Sequence, residues 1–595
     1  MSEYPRNYVA LTSIDQVATV LDQFRDESNW IAVDTETTAP LPLSASLVGI
    51  SFCWKAGYAY YIPVAHKAGP NVPLEEIRKY LGPILSDPNV TKVGQNVSYD
   101  YIVLTRHGFD FQPPTFDTMV AAYILDPENP LNLDDLSFRH LGVSKVHYAD
   151  LVGSMMRTID EVEVDKVREY AAEDADCTWQ LYQRFSGDLI KTQQHDLAWD
   201  IDFPLTHVLV RMHMLGVLFD PAPLEALNLD VSRRLMNIKR QVWETYGQIN
   251  LQSSQQVAWL LYDKLGLPRS RETKYGYTTN NRALQQLARF HPAPQLVFDY
   301  RKLFKLRQSY INALPDMVWN DGRLHTDFNQ TRTITGRLSS SRPNLQNIPM
   351  RTPLGRQLRK CFVASPGYKF VSADYSNIEM RMMAHLSNDQ PLIDAFHTGK
   401  DVHAETAKAL FRKSVVNDDE RFRGKKTGFG IIYGVGPDRL GEELLISPAD
   451  AGKLIGSYFD SHPGVRRFFI ETLDLAREQG YVSSIFNRRR YLPDIRSEDG
   501  YLRKKAELAA TNTPVQSSAA DLIKIAMVKL QKALDQKGSA ARIILQVHDE
   551  LVVEAPEAEV EDVARLTEEV MVSSAKLRVP LEVSVGTGDN LYELK

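Results

Sequence analysis

The chain has 595 residues, 43% of them hydrophobic and 24% charged, enough for about three or four domains with cores of their own. Its net charge of −6, from 69 basic and 75 acidic residues, by itself argues mildly against a nucleic-acid partner, and the distribution of the basic residues argues the other way. Three scattered cysteines, Cys53, Cys177 and Cys361, show neither disulfide nor zinc spacing and suit a reducing, cytoplasmic setting. Met1 to Asp15 lacks the basic-then-apolar pattern of a signal peptide. The longest apolar stretch, Leu205 to Phe219, is broken by His207, Arg211 and His213, so no membrane span is expected.

In chain order, the N-terminal third alternates apolar strands (Trp30 to Val33, Ser46 to Trp54, Ala59 to Pro63) with helical stretches, the pattern of an α/β domain. From about Leu205 to Leu314 the pattern is helical, in amphipathic segments Leu224 to Tyr246, Gln255 to Leu265, Arg282 to Phe290 and Gln295 to Leu314 that read as an arm. Asn320-Asp321-Gly322 marks a hairpin turn, and Arg323 to Thr335 alternates as a strand; the polar stretch Thr335 to Asn347 reads as loop. The remainder is α/β, with a mostly helical block from about His403 to Glu478 inserted between two strands that each open onto an aspartate. The first is Lys369 to Ala373 before Asp374. The second, Ile543 to Val547, forms with Leu551 to Val553 a hairpin that carries His548-Asp549-Glu550 at its turn.

Acids that converge at strand ends with no Lys or Arg beside them repel one another unless a divalent cation lies between them, which is the chemistry of two-metal phosphoryl transfer. Basic residues gather at 301–307, 421–426, 488–490 and 503–505. One such run alone is more often a solvated helix face, but four near candidate catalytic segments read as a nucleic-acid surface.

A further acid constellation lies near the N-terminus. Asp34-Thr35-Glu36 follows the strand Ile31-Ala32-Val33, and alternation puts the two carboxylates on one face. Asp100 comes after Lys92-Val93-Gly94 and Asn96, and Tyr170 lies four residues before Asp174, on the same helical face. Four acids and a phenol suffice to hold two Mg²⁺ ions and to orient a water on a phosphodiester. Singly, an Asp-x-Glu after a strand is an ordinary loop or cap; the ordered set is what carries weight. Over residues 9 to 190 the sequence resembles the DEDD-type 3′→5′ exonucleases, in the variant with tyrosine in the third motif. The resemblance implies Asp34, Glu36, Asp100 and Asp174 as metal ligands and Tyr170 as the residue that positions the attacking water.

In the C-terminal part, Arg421, Lys425, Phe429 and Tyr433 recur at intervals of four, stacking cations and then aromatics along one helix face that could grip a triphosphate and stack a base. An aromatic pair at this spacing is usually core, but Gly428, Gly430, Gly434 and Gly436 beside it disfavour a bland core helix. Glu379 lies one short turn beyond Asp374, as a third ligand or as the wall of a sugar pocket. Arg337 and Gln516 offer donors for the minor-groove acceptors common to all base pairs. His548 reads equally as a structural hydrogen bonder.

From about residue 196 to 595 these segments resemble family A DNA polymerases. Asp374-Tyr375-Ser376 with Glu379 and Arg381 matches motif A, Arg421 to Tyr433 the fingers helix of motif B, and Val547-His548-Asp549-Glu550 motif C; Thr335 to Ser340 and Asn512 to Gln516 also match. The expected fold is therefore α/β multidomain: an RNase H-like exonuclease domain over 1–195 and a right-hand polymerase over 196–595. Within the latter the thumb is expected at about 205–310, the fingers at about 395–510, and the palm in the remainder. The resemblance further implies Asp374 and Asp549 as metal ligands, Glu550 and Lys425 as catalytic groups, Arg421, Lys425, Phe429, Tyr433, Glu379 and His403 around a dNTP, and Arg337, Gln516, Asn512 and His548 against DNA. Two Mg²⁺ ions per site are expected, with Mn²⁺ as a substitute. Expected partners are primer-template DNA, single-stranded 3′ ends and dNTPs, for a chain acting as a monomer, with a replisome or processivity partner in view. The match implies a Klenow-type arrangement without a 5′ nuclease domain. Such chains are common among phages, so a viral source is one expectation, with the host cytoplasm as its setting. Asn377, Gly428, Ser517 and Leu508 depart from the family pattern without removing a ligand. A single-subunit RNA polymerase, and a nuclease-only or DNA-binding repair protein whose polymerase half has become structural, are the rival readings.

Overall fold

In the computed structural model the described residues are 6–594 without 154–157, 270–271, 275 and 351; the signal-peptide reading over 1–15 lies, at 1–5, outside them. The N-terminal part is built on a six-stranded sheet of β1 (Asn7–Ala10), β2 (Trp30–Thr37), β3 (Leu47–Lys55), β4 (Tyr58–Pro63), β5 (Thr91–Gly94) and β6 (Thr115–Asp117), in the order β1-β4-β3-β2-β5-β6. β2, β3 and β4 are antiparallel, whereas β1, β5 and β6 join in parallel. Helix α1 (Val97–Arg106) follows β5, and the long α2 (Val164–Lys191) lies across β2, β3 and β4. One expectation changes here. β2 does not end at Val33 but runs to Thr37, because it keeps pairing with β3 through Asp34 opposite Ser51 and Glu36 opposite Gly49. The two acids therefore sit inside a strand, where hydrogen bonds on the β3 side fix their backbone.

Helix α3 (Phe203–Leu215) leads to the arm, whose longest members are α4 (Ala222–Tyr246) and α5 (Pro292–Leu306). The segments expected at 255–265 and 282–290 appear as Ser254–Ala258 continuing into a wide turn over Trp259–Lys264, and as Asn281–Leu287 capped by the Asn280 side chain. Val242, Leu251, Leu260, Leu284 and Val297 give this region its own small core. The single strand expected over Arg323 to Thr335 is two short ones. Arg323–Leu324 pairs with Val217–Leu218 and Asp327–Asn329 with Ser339–Ser341, so the alternation is split between two partners, and the polar stretch after it is part strand.

The second large sheet is antiparallel throughout: β7 (Tyr368–Tyr375), β8 (Arg542–Val547), β9 (Glu550–Pro556) and β10 (Val583–Gly588), in the order β8-β9-β7-β10. The hairpin read around residues 548–549 is present, with His548 in the left-handed region at φ 57° to close the turn. The helical block between the two aspartate strands is also present. It includes α6 (Ile378–Ser387), α7 (Val402–Phe411) and α8 (Asp418–Ile432), the last begun by a capping box between Asn417 and Glu420. The 37-residue α9 (Gly500–Gln536) runs back towards the sheet.

Where the segment leading into α3, the hairpin at 481–491 and α9 meet, an enclosed set of charges joins them. Arg488 binds Asp202 at 2.5 Å and Asp521 at 2.7 Å, and Lys524 binds Asp202 at 2.8 Å. This corrects the reading of 488–490 as a nucleic-acid patch: Arg488 is buried, Arg489 donates to the Thr192 carbonyl and Arg490 to Thr513. Arg301 likewise turns inward, to the carbonyls of Leu251 and Thr279. No helix among the described residues is long and apolar enough to cross a membrane.

Candidate active sites

The first site forms where β2, α1 and α2 converge. Ligand oxygens of Asp34, Glu36 and Asp174 lie within 4.8 Å of one another. Asp100 joins through Thr35, whose backbone N–H and hydroxyl both donate to its Oδ1, at 3.0 and 2.6 Å. Burial, then repulsion from Asp100, Glu36 and Asp174, pushes the Asp34 carboxyl well above its usual range, and burial with Asp174 does the same to Glu36. Asp100 is raised by burial to about 7, against the bonds from Thr35, and Asp174 by burial to about 6, against Lys145. The Tyr170 phenol is raised by burial and then by Asp174, so it stays protonated and keeps a hydrogen to donate. All five residues read from the sequence thus meet at one place.

Lys145 was not read from the sequence. It touches Asp174, approaches Asp134 at 3.4 Å, and lies 5.5 Å over the Tyr170 ring. Nothing in the local sequence marks it, since its partners lie on two helices, Asp174 on α2 and Asp134 at the start of the helix Leu133–Leu141. A cation therefore stands among these acids. Four buried carboxyl groups against one ammonium remain a hard-oxygen donor set that fits a divalent cation.

The second site lies where β7 and β8 of the antiparallel sheet end and β9 begins. Asp374 is the last residue but one of β7, opposite Glu550, and the Tyr375 N–H donates to the Asp549 carbonyl at 3.2 Å, which brings Asp374 and Asp549 together. Burial lifts Asp549 to about 6; Arg337 opposes the rise, and Glu379 and Asp374 add to it. Glu550 is buried and accepts a short hydrogen bond from Ser372. On α6, Glu379 is held from two sides, by Arg337 at 2.6 Å and by the Tyr433 hydroxyl at 2.5 Å. Arg337, expected to face DNA, is thus engaged by a carboxylate, and here too a cation stands among the acids.

The helix face read from the four-residue spacing is real. Phe429 and Tyr433 stack at 6.3 Å, Lys425 is exposed, and Arg421 pairs with Asp401 at 2.6 Å. His403 on α7 packs 5.5 Å from Phe429 and binds Asn377 at 3.1 Å; burial lowers its pKa to about 4, so it is neutral. Asn512 on α9 donates to the Tyr433 carbonyl at 3.1 Å, Gln516 is half-exposed one turn further on, and His548 is exposed at the hairpin turn. α8 packs tightly against α7 through Gly424, where a Cβ would stand 2.7 Å from the His403 carbonyl oxygen.

An RNase H-like acid sheet followed by a helix-capped antiparallel palm defines a polymerase joined to an exonuclease fold. The family model described as DNA polymerase family A matches residues 222–593, and that described as 3'-5' exonuclease matches residues 8–190. The chain belongs to DNA polymerase family A, with a 3'-5' exonuclease domain before the polymerase domain. DNA polymerase I of Chloroflexus aurantiacus is 40% identical over 578 residues, covering 95% of this chain and 61% of the relative. That of Pseudomonas aeruginosa is 39% identical, covering 96% and 64%. The solved structure described as the POL domain of Pol1 from M. smegmatis in complex with DNA primer-template and dNTP has a TM-score of 0.90 and 34% identity, and covers 98% of this chain and 100% of that one. The chain therefore spans a little over three-fifths of the length of these curated relatives. They are bacterial and lend no support to a phage source.

Proposed function

We propose that the chain is a template-directed DNA polymerase that adds dNTPs to a primer 3′ end and removes ends by 3′→5′ hydrolysis, in DNA replication or repair. The observation that carries this reading is the pair of separate carboxylate clusters: Asp34 and Glu36 on β2 with Asp100 on α1 and Asp174 on α2, and Asp374 on β7 with Asp549 at the β8-β9 turn, the second with Tyr433 at the end of α8 bound to Glu379 beside it. In this reading the exonuclease domain is 1–195 and the polymerase domain 196–595, with thumb at about 205–310, fingers at about 395–510 and palm in the remainder.

Each cluster would hold two Mg²⁺ ions, or Mn²⁺, which when bound activate the attacking oxygen and stabilise the leaving one. Asp374 and Asp549 are the ligands in the polymerase site. Arg421 and Lys425 neutralise the triphosphate, with Lys425 facing the charge that develops on leaving pyrophosphate. Phe429, with His403 behind it, lies under the incoming base, and Glu379 with Tyr433 closes the space where a 2′-hydroxyl would lie. Glu550 steadies the end of the hairpin through Ser372. Arg337, Gln516, Asn512 and His548 meet primer and template, and Arg337 exchanges Glu379 for DNA when it does so. In the exonuclease site Tyr170 donates to the water that attacks the last phosphodiester of a single-stranded 3′ end. The chain acts as a monomer in the cytoplasm; a replisome or processivity partner is compatible with this reading.

The two clusters are separable by mutation. Asp549→Ala should abolish dNTP incorporation and leave degradation of single-stranded DNA intact, whereas Asp34→Ala with Glu36→Ala should do the reverse. Loss of both activities in either variant, with a normal melting curve, would defeat the two-site reading.

A further inference from the structure

The four acids and the tyrosine of the exonuclease site leave one group unaccounted for. Lys145 lies in the loop between the helices Leu133–Leu141 and Tyr148–Val152, and its side chain is 1% exposed. Its ammonium stands between two carboxylates of different character. Asp174, 10% exposed, belongs to the cluster with Asp34 and Glu36. Asp134, 42% exposed, lies outside that cluster and is held by His147 Nδ1 at 2.8 Å. The ammonium touches the first and is 3.4 Å from the second, so rotation of a flexible four-carbon stem carries it between them without backbone movement.

We propose that Lys145 is an exchangeable counter-ion of the exonuclease site, neutralising Asp174 while the cluster holds no divalent cation and withdrawing to Asp134 when one binds. The inference rests on the exonuclease reading given above. A lysine fixed on Asp174 would occupy an oxygen that a metal ion needs, and no lysine at all would leave four buried carboxylates facing one another. An ammonium with a second resting place avoids both. Metal affinity is then set by competition with an internal cation, and the protein resists binding stray divalent ions at low concentration.

The test is calorimetric titration of Mn²⁺ into the full chain carrying Asp374→Asn and Asp549→Asn, which removes the other cluster, together with melting curves in chelator. Adding Lys145→Met should tighten Mn²⁺ binding at least about tenfold, the effect of removing one unit charge close to the ligands, and lower the metal-free melting temperature. Asp134→Asn should weaken Mn²⁺ binding by about threefold or more when Lys145 is present and have little effect in the Lys145→Met background. Should Lys145→Met not fold, Lys145→Gln makes the same comparison. Unchanged or weaker binding on loss of the ammonium, or an equal effect of Asp134→Asn with and without it, would overturn the proposal. Mn²⁺ binding that survives Asp34→Asn with Glu36→Gln would overturn the exonuclease-site reading itself, and the proposal with it.

Discussion

Lys524→Met should be among the most destabilising single substitutions outside the two sites. Lys524 and Asp202 are fully buried and Arg488 is 3% exposed, so Asp202, Arg488, Asp521 and Lys524 form two positive and two negative charges shielded from water. Burial raises the Asp202 carboxyl, but Arg488 and Lys524 more than offset it and hold it below its usual range. Asp521 stays above its usual range, raised by burial against Arg488 and Lys524, and accepts from Ser484 at 2.8 Å. Methionine has nearly the length of lysine, so packing is kept and only the charge is lost. Breaking one partner of a buried set costs about 3–5 kcal/mol, because the remaining charge is uncompensated. With an unfolding entropy of about 2.1 cal/mol/K per residue, a cooperative unit of roughly 400 residues should melt about 4–6 °C lower. Asp202→Asn alone should cost a similar amount. The double variant restores neutrality and should cost clearly less than the sum, with a coupling of about 1–3 kcal/mol. Melting followed by calorimetry and near-UV circular dichroism makes the measurement. Additive losses, or a single-variant loss under about 1 kcal/mol, would mean that the four charges do not act as one unit.

Glu379→Ala should raise the ratio of rNTP to dNTP incorporation efficiency at least about tenfold, a change of roughly 1.4 kcal/mol in discrimination, as measured by single-nucleotide extension kinetics. In the metal-free protein, Asp100 and Asp174 are protonated more readily when folded than when unfolded, so their contribution is full below about pH 4 and is lost as pH rises through about 6 to 7. The melting temperature in chelator should therefore fall between pH 5.5 and 8, and added Mg²⁺ should remove much of that fall; parallel curves with and without Mg²⁺ would contradict it. Gly424→Ala should destabilise by about 1–3 kcal/mol, since its Cβ would meet the His403 carbonyl oxygen at 2.7 Å and Ala407 Cβ at 2.8 Å. Gly428→Ala, whose nearest neighbour is Met380 Cε at 3.7 Å, should instead stabilise by about 0.5–1 kcal/mol; melting curves in the opposite order would refute the packing of α8 on α7.

What the sequence disclosed was whatever local period encodes. Helical spacing placed Arg421, Lys425, Phe429 and Tyr433 on one face and Tyr170 beside Asp174, and strand alternation placed Asp34 beside Glu36. The hairpin around Asp549 was legible because apolar runs flank a polar turn. The end of β2 was not, since what prolongs the strand past Val33 is pairing with β3, and no feature of 34–37 itself announces it. The charges hidden from sequence reasoning are those satisfied over long separations. Arg337 meets Glu379 42 positions away, and Arg488 meets Asp202 286 positions away, so a basic run that looks solvated can be the interior of a joint.

Both acid clusters share a feature that a count of carboxylates would miss. In each, a cation from a segment outside the acid-bearing sheet takes one carboxylate: Lys145 on Asp174, Arg337 on Glu379. The two differ in freedom. The ammonium is a compact point charge with a second carboxylate in reach, suited to yielding its place to an ion. The guanidinium donates through one nitrogen, Nη2, to one oxygen of Glu379, whose other oxygen accepts from the Tyr433 hydroxyl, and the Tyr433 carbonyl in turn accepts from Asn512. Any movement of Arg337 towards DNA must therefore be felt at Glu379, Tyr433 and the end of α8, the residues that would judge the sugar and base of an incoming nucleotide. In the proposed function, engagement of the primer terminus by Arg337 and closure of the nucleotide pocket would be one hydrogen-bonded event, and replacing Arg337 should then disturb sugar discrimination as well as DNA affinity.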